Sequence, residues 1–177
     1  MIIKEQYLTP NNFSRSATPL KSIKGIVIHW VGNAMTTAEQ NRNYFEILKN
    51  QTDNPNSRFA GAHFIISLDG EVIQCIPDNE VAYHVGAFTY TKQAIKDLST
   101  YPNNCTLGIE LCHTNWDGEF TQETINSAKD LILMLCEKYN LGRANIYRHF
   151  DITSKDCPRL FVAREDKWND FLNFVFA

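Results

Sequence analysis

The stretch Gly25-Ile26-Val27-Ile28-His29-Trp30 decides how the chain folds, because it is a short run of β-branched residues that ends in a histidine. A run of this kind is typical of a strand that is buried on both faces of a sheet. A second core-like strand at residues 106–112 carries Glu110 in its interior. Strand and helix patterns alternate along the chain, with at least one hairpin. We therefore predict an α/β single domain whose central mixed β-sheet is flanked by helices.

Local signals place the other elements around this strand. Residues 37–40 have the Thr-x-x-Gln form of a capping box, and the helix that they open should end near Asn50. Asp69-Gly70 is typical of a type I′ turn between strands at 62–68 and 71–76. We also predict an extended piece at 81–85, a short helix around 92–98, a helix after Thr121 that ends at Gly142, a strand at 145–149, and a last helix at about 164–174.

The overall composition limits the classes of function. The length of 177 residues fits one domain, with residues 1–22 as an extended lead-in and residues 23–177 as the core. A net charge of −3 gives no electrostatic reason to bind nucleic acid or an anionic membrane. The sequence also lacks an apolar run of the roughly 18–20 residues that membrane insertion needs. Since residues 1–6 do not resemble a signal peptide, we expect synthesis in the cytoplasm and another route to any external site.

The segment from His149 to Cys157 places an imidazole and a thiol eight positions apart. Such a pair can supply two of the three protein ligands of a catalytic zinc ion, with the fourth position open to water. His29 at the end of its strand can supply the third ligand, although a lone histidine there is also compatible with a core role. A rival assignment puts His63 or His84 in its place. Four other cysteines lie in apolar contexts, where a thiol acts as a small hydrophobic group: Cys75, Cys105, Cys112 and Cys136.

Three further residues suggest chemistry around such a site. Glu110 lies inside an apolar strand, where burial is unfavourable unless a partner or a metal is near; it can act as a general base, or face solvent or an ion pair instead. Lys155, two residues before Cys157, can approach a developing oxyanion, or remain an exposed surface lysine. His84, between extended pieces and before a glycine, is a candidate for lining the cleft and binding substrate.

At these residues the sequence resembles the zinc-dependent N-acetylmuramoyl-L-alanine amidases, the T7-lysozyme-like family that includes phage endolysins, recycling amidases and peptidoglycan recognition proteins. Any one matching piece is weak, but their ordered set is specific and covers about residues 23–160. The set consists of Gly25-Ile26-Val27-Ile28-His29, Ala62-His63-Phe64-Ile65-Ile66-Ser67-Leu68-Asp69-Gly70, Tyr83-His84-Val85-Gly86, Thr106-Leu107-Gly108-Ile109-Glu110, Arg148-His149 and Lys155-Asp156-Cys157-Pro158.

The resemblance implies one zinc ion in a surface groove, held by His29, His149 and Cys157, with Glu110 as the base and Lys155 near the oxyanion. It implies hydrolysis of the amide between N-acetylmuramic acid and L-alanine, with bacterial cell-wall peptidoglycan as the partner. Several relatives carry a tyrosine where this chain has Ala62. That departure shifts the expected catalytic role onto Glu110.

Within the family, the setting of Glu110 is most similar to endolysins and sporulation-type amidases of Gram-positive hosts and their phages. We expect the endolysin type, a bacteriolytic enzyme that acts on the wall after release. A C-terminal wall-binding domain is not visible in this sequence, so we expect the chain to be the catalytic part of a longer lysin that carries such a domain. Two alternatives remain open at this point. One is a cytoplasmic recycling amidase that acts on soluble muropeptides, and the other is a peptidoglycan-binding module without catalysis. Retention of Cys157 together with Glu110 disfavours the second alternative.

Overall fold

The strand predicted at residues 25–30 is present in the computed structural model, which describes residues 2–177. This strand, β2 (Gly25–Trp30), lies between β5 (Thr106–Leu111) and β6 (Ile146–Arg148) and is parallel to both. The described chain has three more strands: β1 (Ile3–Glu5), β3 (Phe64–Ile66) and β4 (Val72–Gln74). They complete one sheet in the order β1-β4-β3-β5-β2-β6. Only β3 and β4 pair antiparallel, so the predicted mixed sheet is confirmed.

Helices cover both faces of the sheet because the side chains of β2 alternate between two apolar clusters. Ile26 and Ile28 pack on the face that is covered by α3 and α6, whereas Val27 packs on the opposite face with α2 and α4. His29 lies two residues after Val27 and therefore shares the second face. The α-helices within residues 2–177 are α1 (Ala38–Ile47), α2 (Lys92–Asp97), α3 (Gln122–Tyr139), α4 (His149–Thr153), α5 (Arg159–Ala163) and α6 (Glu165–Val175). None of these helices has the length and hydropathy that a membrane span requires.

The capping signals predicted for α1 and α3 have different outcomes. The capping box of α1 is present, since the Gln40 amide donates to the Thr37 hydroxyl at 3.2 Å and the Thr37 amide donates to the Gln40 side chain at 2.9 Å. The prediction that α3 ends at Gly142 is wrong. Its last residue is Tyr139, and Asn140 adopts the left-handed conformation with φ of 52°. Asparagine tolerates this conformation better than most residues, so the helix ends without glycine.

Two other predictions need correction. Residues 81–85 form no strand; instead, the Val81 amide donates to the Thr18 carbonyl at 2.8 Å and so fixes the lead-in to the core. The strand predicted at residues 145–149 ends at Arg148, and His149 begins the short helix α4. Neither feature has a local sequence signal, because both depend on contacts with distant parts of the chain.

The lead-in is fastened to α1 by Glu46. The Thr9 hydroxyl and amide donate to its carboxylate at 2.6 and 3.0 Å, and the Lys49 ammonium lies 2.6 Å away. Burial alone raises the pKa of Glu46, but the hydrogen bonds from Lys49 and Thr9 outweigh this effect and lower the pKa from 4.5 to about 2. The ionised form is therefore the one that stabilises the fold.

We expect Glu46→Gln to lower the free energy of unfolding by about 1 kcal/mol at neutral pH, because it removes these charge-assisted hydrogen bonds. The stabilisation from Glu46 is complete above its unfolded pKa and is lost as the pH falls from about 4.5 towards 2. Urea titrations across this range should therefore show a smaller loss of stability for the variant than for the wild type. The control is Glu39→Gln, at an exposed position of the same helix. Parallel pH profiles for Glu46→Gln and the wild type would contradict this assignment.

Candidate metal centre

Three buried side chains converge at one edge of the sheet: His29, His149 and Cys157. The Nδ1 atom of His29 lies 3.1 Å from Nδ1 of His149 and 3.7 Å from Sγ of Cys157. All three donor atoms lie within 4.8 Å of one another. Nitrogen and sulfur donors at this spacing form a set that could hold a metal ion.

The topology explains why residues so far apart in sequence meet. Ile28 of β2 pairs with Arg148 of β6, and each is followed by a histidine. Since the two strands are parallel neighbours, both histidines leave the sheet at its carboxyl edge. A short helix then turns the chain back, and the Phe150 amide donates to the Cys157 carbonyl at 2.9 Å. The cysteine is thereby held beside the first turn of α4.

Two of the distances between the donor atoms fit a tetrahedral zinc ion. With zinc–nitrogen bonds of about 2.0–2.1 Å and zinc–sulfur bonds of about 2.3 Å, tetrahedral angles require nitrogen atoms about 3.3 Å apart and nitrogen and sulfur about 3.6 Å apart. The corresponding distances between His29 and His149 and between His29 and Cys157 are 3.1 and 3.7 Å. The donor set is also the soft nitrogen and sulfur type that zinc prefers over calcium or magnesium.

Burial controls the protonation of these donors. It lowers the pKa of His149 to about 3, with a smaller effect from the charge of Lys155, and it lowers the pKa of His29 well below its ordinary value. Both imidazoles are thus neutral, which is the form that binds metals. Burial also raises the pKa of the Cys157 thiol. A thiol ligand therefore has to release its proton when a cation binds.

Glu110 lies beside this cluster because it pairs with His29 across β5 and β2. Its Oε2 atom is buried and has no hydrogen-bond partner within residues 2–177. The ion pairs of the described residues also do not include it, so the salt-bridged alternative does not hold. Burial raises the pKa of Glu110 to about 8, although the positive charge of Lys155 opposes the shift. Such a carboxyl group can exchange a proton near neutral pH.

A cavity of about 610 Å³ opens onto the cluster. Glu110, Lys155 and His84 all line it, together with the three candidate metal ligands. Lys155 is exposed, so it can reach a group bound in this cavity. His84 is only 8% exposed, and its Nδ1 atom lies 3.0 Å from Nε2 of His29. This direct contact with a candidate ligand has no signal in the sequence.

His63, which was a rival ligand, has both ring nitrogens occupied by the backbone. Its Nδ1 accepts a hydrogen bond from the Gly108 amide at 3.0 Å, and its Nε2 lies 2.9 Å from the Glu80 carbonyl. Burial lowers the pKa of His63 to about 4, so the ring is neutral. It therefore acts as a structural histidine in this fold and leaves no nitrogen for a metal.

Sequence reasoning missed Asn103, a fully buried residue at the wall of the cavity. Its side-chain oxygen accepts hydrogen bonds from the amides of His84 and Val85 at 3.2 and 2.9 Å. The only available signal was its place in a long polar connection, a type of segment that is often functional. Asn103 fixes the backbone that carries His84.

The fold and the site define a class of protein: an α/β domain with a buried cluster of two histidines and one cysteine that could hold a metal ion, beside a glutamate. A family model described as N-acetylmuramoyl-L-alanine amidase matches residues 19–160. The chain belongs to this family.

Particular relatives agree with this placement. A probable N-acetylmuramoyl-L-alanine amidase from Bacillus licheniformis is 36% identical over 156 residues, which cover 88% of this chain and 42% of that protein. The amidase BlyA from Bacillus subtilis (strain 168) is 31% identical over 184 residues, which cover 99% of this chain and 47% of that protein. The chain thus spans less than half the length of these curated relatives.

A solved structure described as that of PlyL has the same fold, with a TM-score of 0.74 at 24% identity. The alignment covers 99% of this chain and 97% of that one.

Proposed function

We propose that this chain is a zinc-dependent N-acetylmuramoyl-L-alanine amidase that acts on bacterial peptidoglycan. It hydrolyses the amide between the lactyl group of N-acetylmuramic acid and L-alanine. One observation carries the proposal: the buried cluster of His29, His149 and Cys157 lies beside Glu110 in one cavity, inside the segment that matches the amidase family.

In this proposal His29, His149 and Cys157 hold a single zinc ion. When bound, zinc supplies Lewis-acid chemistry, in which it polarises a carbonyl and brings the pKa of water to about 7. Glu110 accepts a proton from the attacking water and passes it to the leaving amine of L-alanine. The positive charge of Lys155 beside Glu110 favours the ionised carboxylate, which is the form that can accept a proton. Lys155 offers its ammonium group to the oxygen that becomes negative during attack.

The same proposal assigns a bacteriolytic, endolysin-type role. A structure described as a mutant endolysin from Bacillus subtilis is 25% identical with a TM-score of 0.72, and the alignment covers 98% of each chain. This likeness supports the proposal that the enzyme acts on the intact cell wall. Synthesis in the cytoplasm, release at lysis and a wall-binding domain outside these 177 residues stay predictions.

A comparison of two substrates separates this role from the recycling alternative. We expect the zinc-loaded chain to clear a suspension of intact sacculi and to expose new alanine amino groups on them. If the chain cleaves soluble muropeptides but leaves sacculi intact, it is a recycling enzyme. If it binds sacculi in the presence of zinc without releasing amino groups, it is a binding module.

A further inference from the structure

We propose that His84 is a positioning residue, which holds His29 in the tautomer and orientation that present Nδ1 to the metal. The inference rests on the proposed metal centre. It assigns His84 a role inside the protein rather than the substrate contact that its sequence context suggested.

The two ring nitrogens of His29 have different tasks. Nδ1 faces the donor atoms of His149 and Cys157, at 3.1 and 3.7 Å. Nε2 points away from them and lies 3.0 Å from Nδ1 of His84. The two rings meet edge to face, with their centroids 5.1 Å apart and their planes at 82°. Because a neutral imidazole carries one N–H, Nδ1 is free for a metal only if Nε2 holds the proton and donates it to His84.

The other side of His84 determines the direction of that hydrogen bond. Its Nε2 lies 3.1 Å from the Thr106 hydroxyl oxygen and 3.3 Å from the Thr106 carbonyl oxygen. The same hydroxyl donates its own hydrogen to the Pro102 carbonyl at 2.8 Å, so it can only accept from His84. His84 therefore carries its proton on Nε2, which leaves Nδ1 as an acceptor. A backbone carbonyl thus fixes, through Thr106 and His84, the protonation of His29.

The surrounding structure is shaped to keep this ring in place. Asn103 binds the backbone amides of His84 and Val85, as described above. Gly108 lies against the imidazole, and a Cβ atom at that position would come within 2.6 Å of Cγ of His84. Both nitrogens of the ring have protein partners, so neither is available to bind substrate. Loss of a residue that hydrogen-bonds to a metal-bound histidine typically weakens metal affinity by about 10–100-fold.

Nuclear magnetic resonance on the zinc-loaded full chain tests the hydrogen-bond direction without any substitution. With 15N-labelled histidine, we expect a through-hydrogen-bond coupling between Nε2 of His29 and Nδ1 of His84, and a protonated Nε2 on His84. A His84 ring that carries its proton on Nδ1 could not accept from His29, and this result would overturn the proposal.

Matched substitutions test the effect on zinc binding. Thr106→Val removes the acceptor hydroxyl at nearly constant volume, whereas Thr106→Ser keeps it. We expect chelator competition to show zinc affinity about tenfold weaker for Thr106→Val and close to wild type for Thr106→Ser. His84→Leu should weaken binding by up to about 100-fold, and His84→Asn, which retains an acceptor, should restore most of the loss. Thermal unfolding of each variant checks that it is folded.

The outcomes separate this inference from the proposed function. If the wild-type chain binds zinc and both Thr106→Val and His84→Leu bind it equally well, the metal centre stands and the role of His84 is overturned. If the wild-type chain binds no zinc, the metal centre itself is contradicted, and the role of His84 falls with it.

Discussion

Replacing Glu110 by glutamine is expected to leave zinc binding intact and to reduce the turnover of peptidoglycan by about 10²–10⁴-fold, the usual contribution of a general base. The amide has nearly the shape of the carboxyl group but cannot accept a proton. Since burial already favours the uncharged form of Glu110, the substitution should not destabilise the fold. Turnover is measured as the release of alanine amino groups, and zinc content is measured on the same sample.

A surface variant controls for the loss of a negative charge. Glu137→Gln changes the net charge by the same amount at an exposed position of α3, away from the cavity, and should behave as the wild type. Near-normal turnover of Glu110→Gln would show that another group takes the proton. A loss of zinc together with activity would instead assign Glu110 to the metal centre itself.

Cys157→Ser is expected to lose zinc and activity together. A serine hydroxyl does not ionise at physiological pH, so the substitution removes the thiolate ligand. Loss of a residue that only hydrogen-bonds to a ligand weakens metal binding by about 10–100-fold. Loss of a direct ligand should therefore weaken zinc binding by more than about 10²-fold. Chelator competition measures the affinity, and the release of alanine amino groups measures the activity.

Cys105→Ser provides the matched control, because Cys105 is also buried but lies outside the metal cluster. Its sulfur atom lies 3.5 Å from the Ser99 hydroxyl and 3.5 Å from the Pro102 carbonyl, so a serine hydroxyl finds polar partners there. This variant should retain both zinc and turnover. Wild-type zinc affinity in Cys157→Ser would contradict the proposed ligand set.

Local sequence patterns predicted the elements whose signals lie within a few residues. The β-branched run at 25–30 predicted β2, and the Thr37 capping box predicted the start of α1. Features that depend on distant partners were missed. Ile3–Glu5 forms an edge strand by pairing with β4, and the first turn of α4 is held by the hydrogen bond from the Phe150 amide to the Cys157 carbonyl.

The candidate site shows the same division. Residues with unusual chemistry for their surroundings, such as His29 and Glu110, could be recognised from the sequence and the family resemblance. Asn103 and Thr106 could not, because both are ordinary polar residues there, and their roles come from contacts with His84. Hydrogen-bond direction is a property of three-dimensional contacts, and spacing along the chain does not encode it.

Mass spectrometry of peptidoglycan digested by the zinc-loaded chain tests the central claim most directly, provided that metal analysis confirms a bound zinc ion in the same preparation. The proposed reaction predicts stem peptides that begin with a free L-alanine amino group and glycan strands whose lactyl groups carry free carboxylates. Removal of zinc with a chelator should abolish both products, and added zinc should restore them. Intact lactyl–alanine amides after digestion by the zinc-loaded chain would contradict the account.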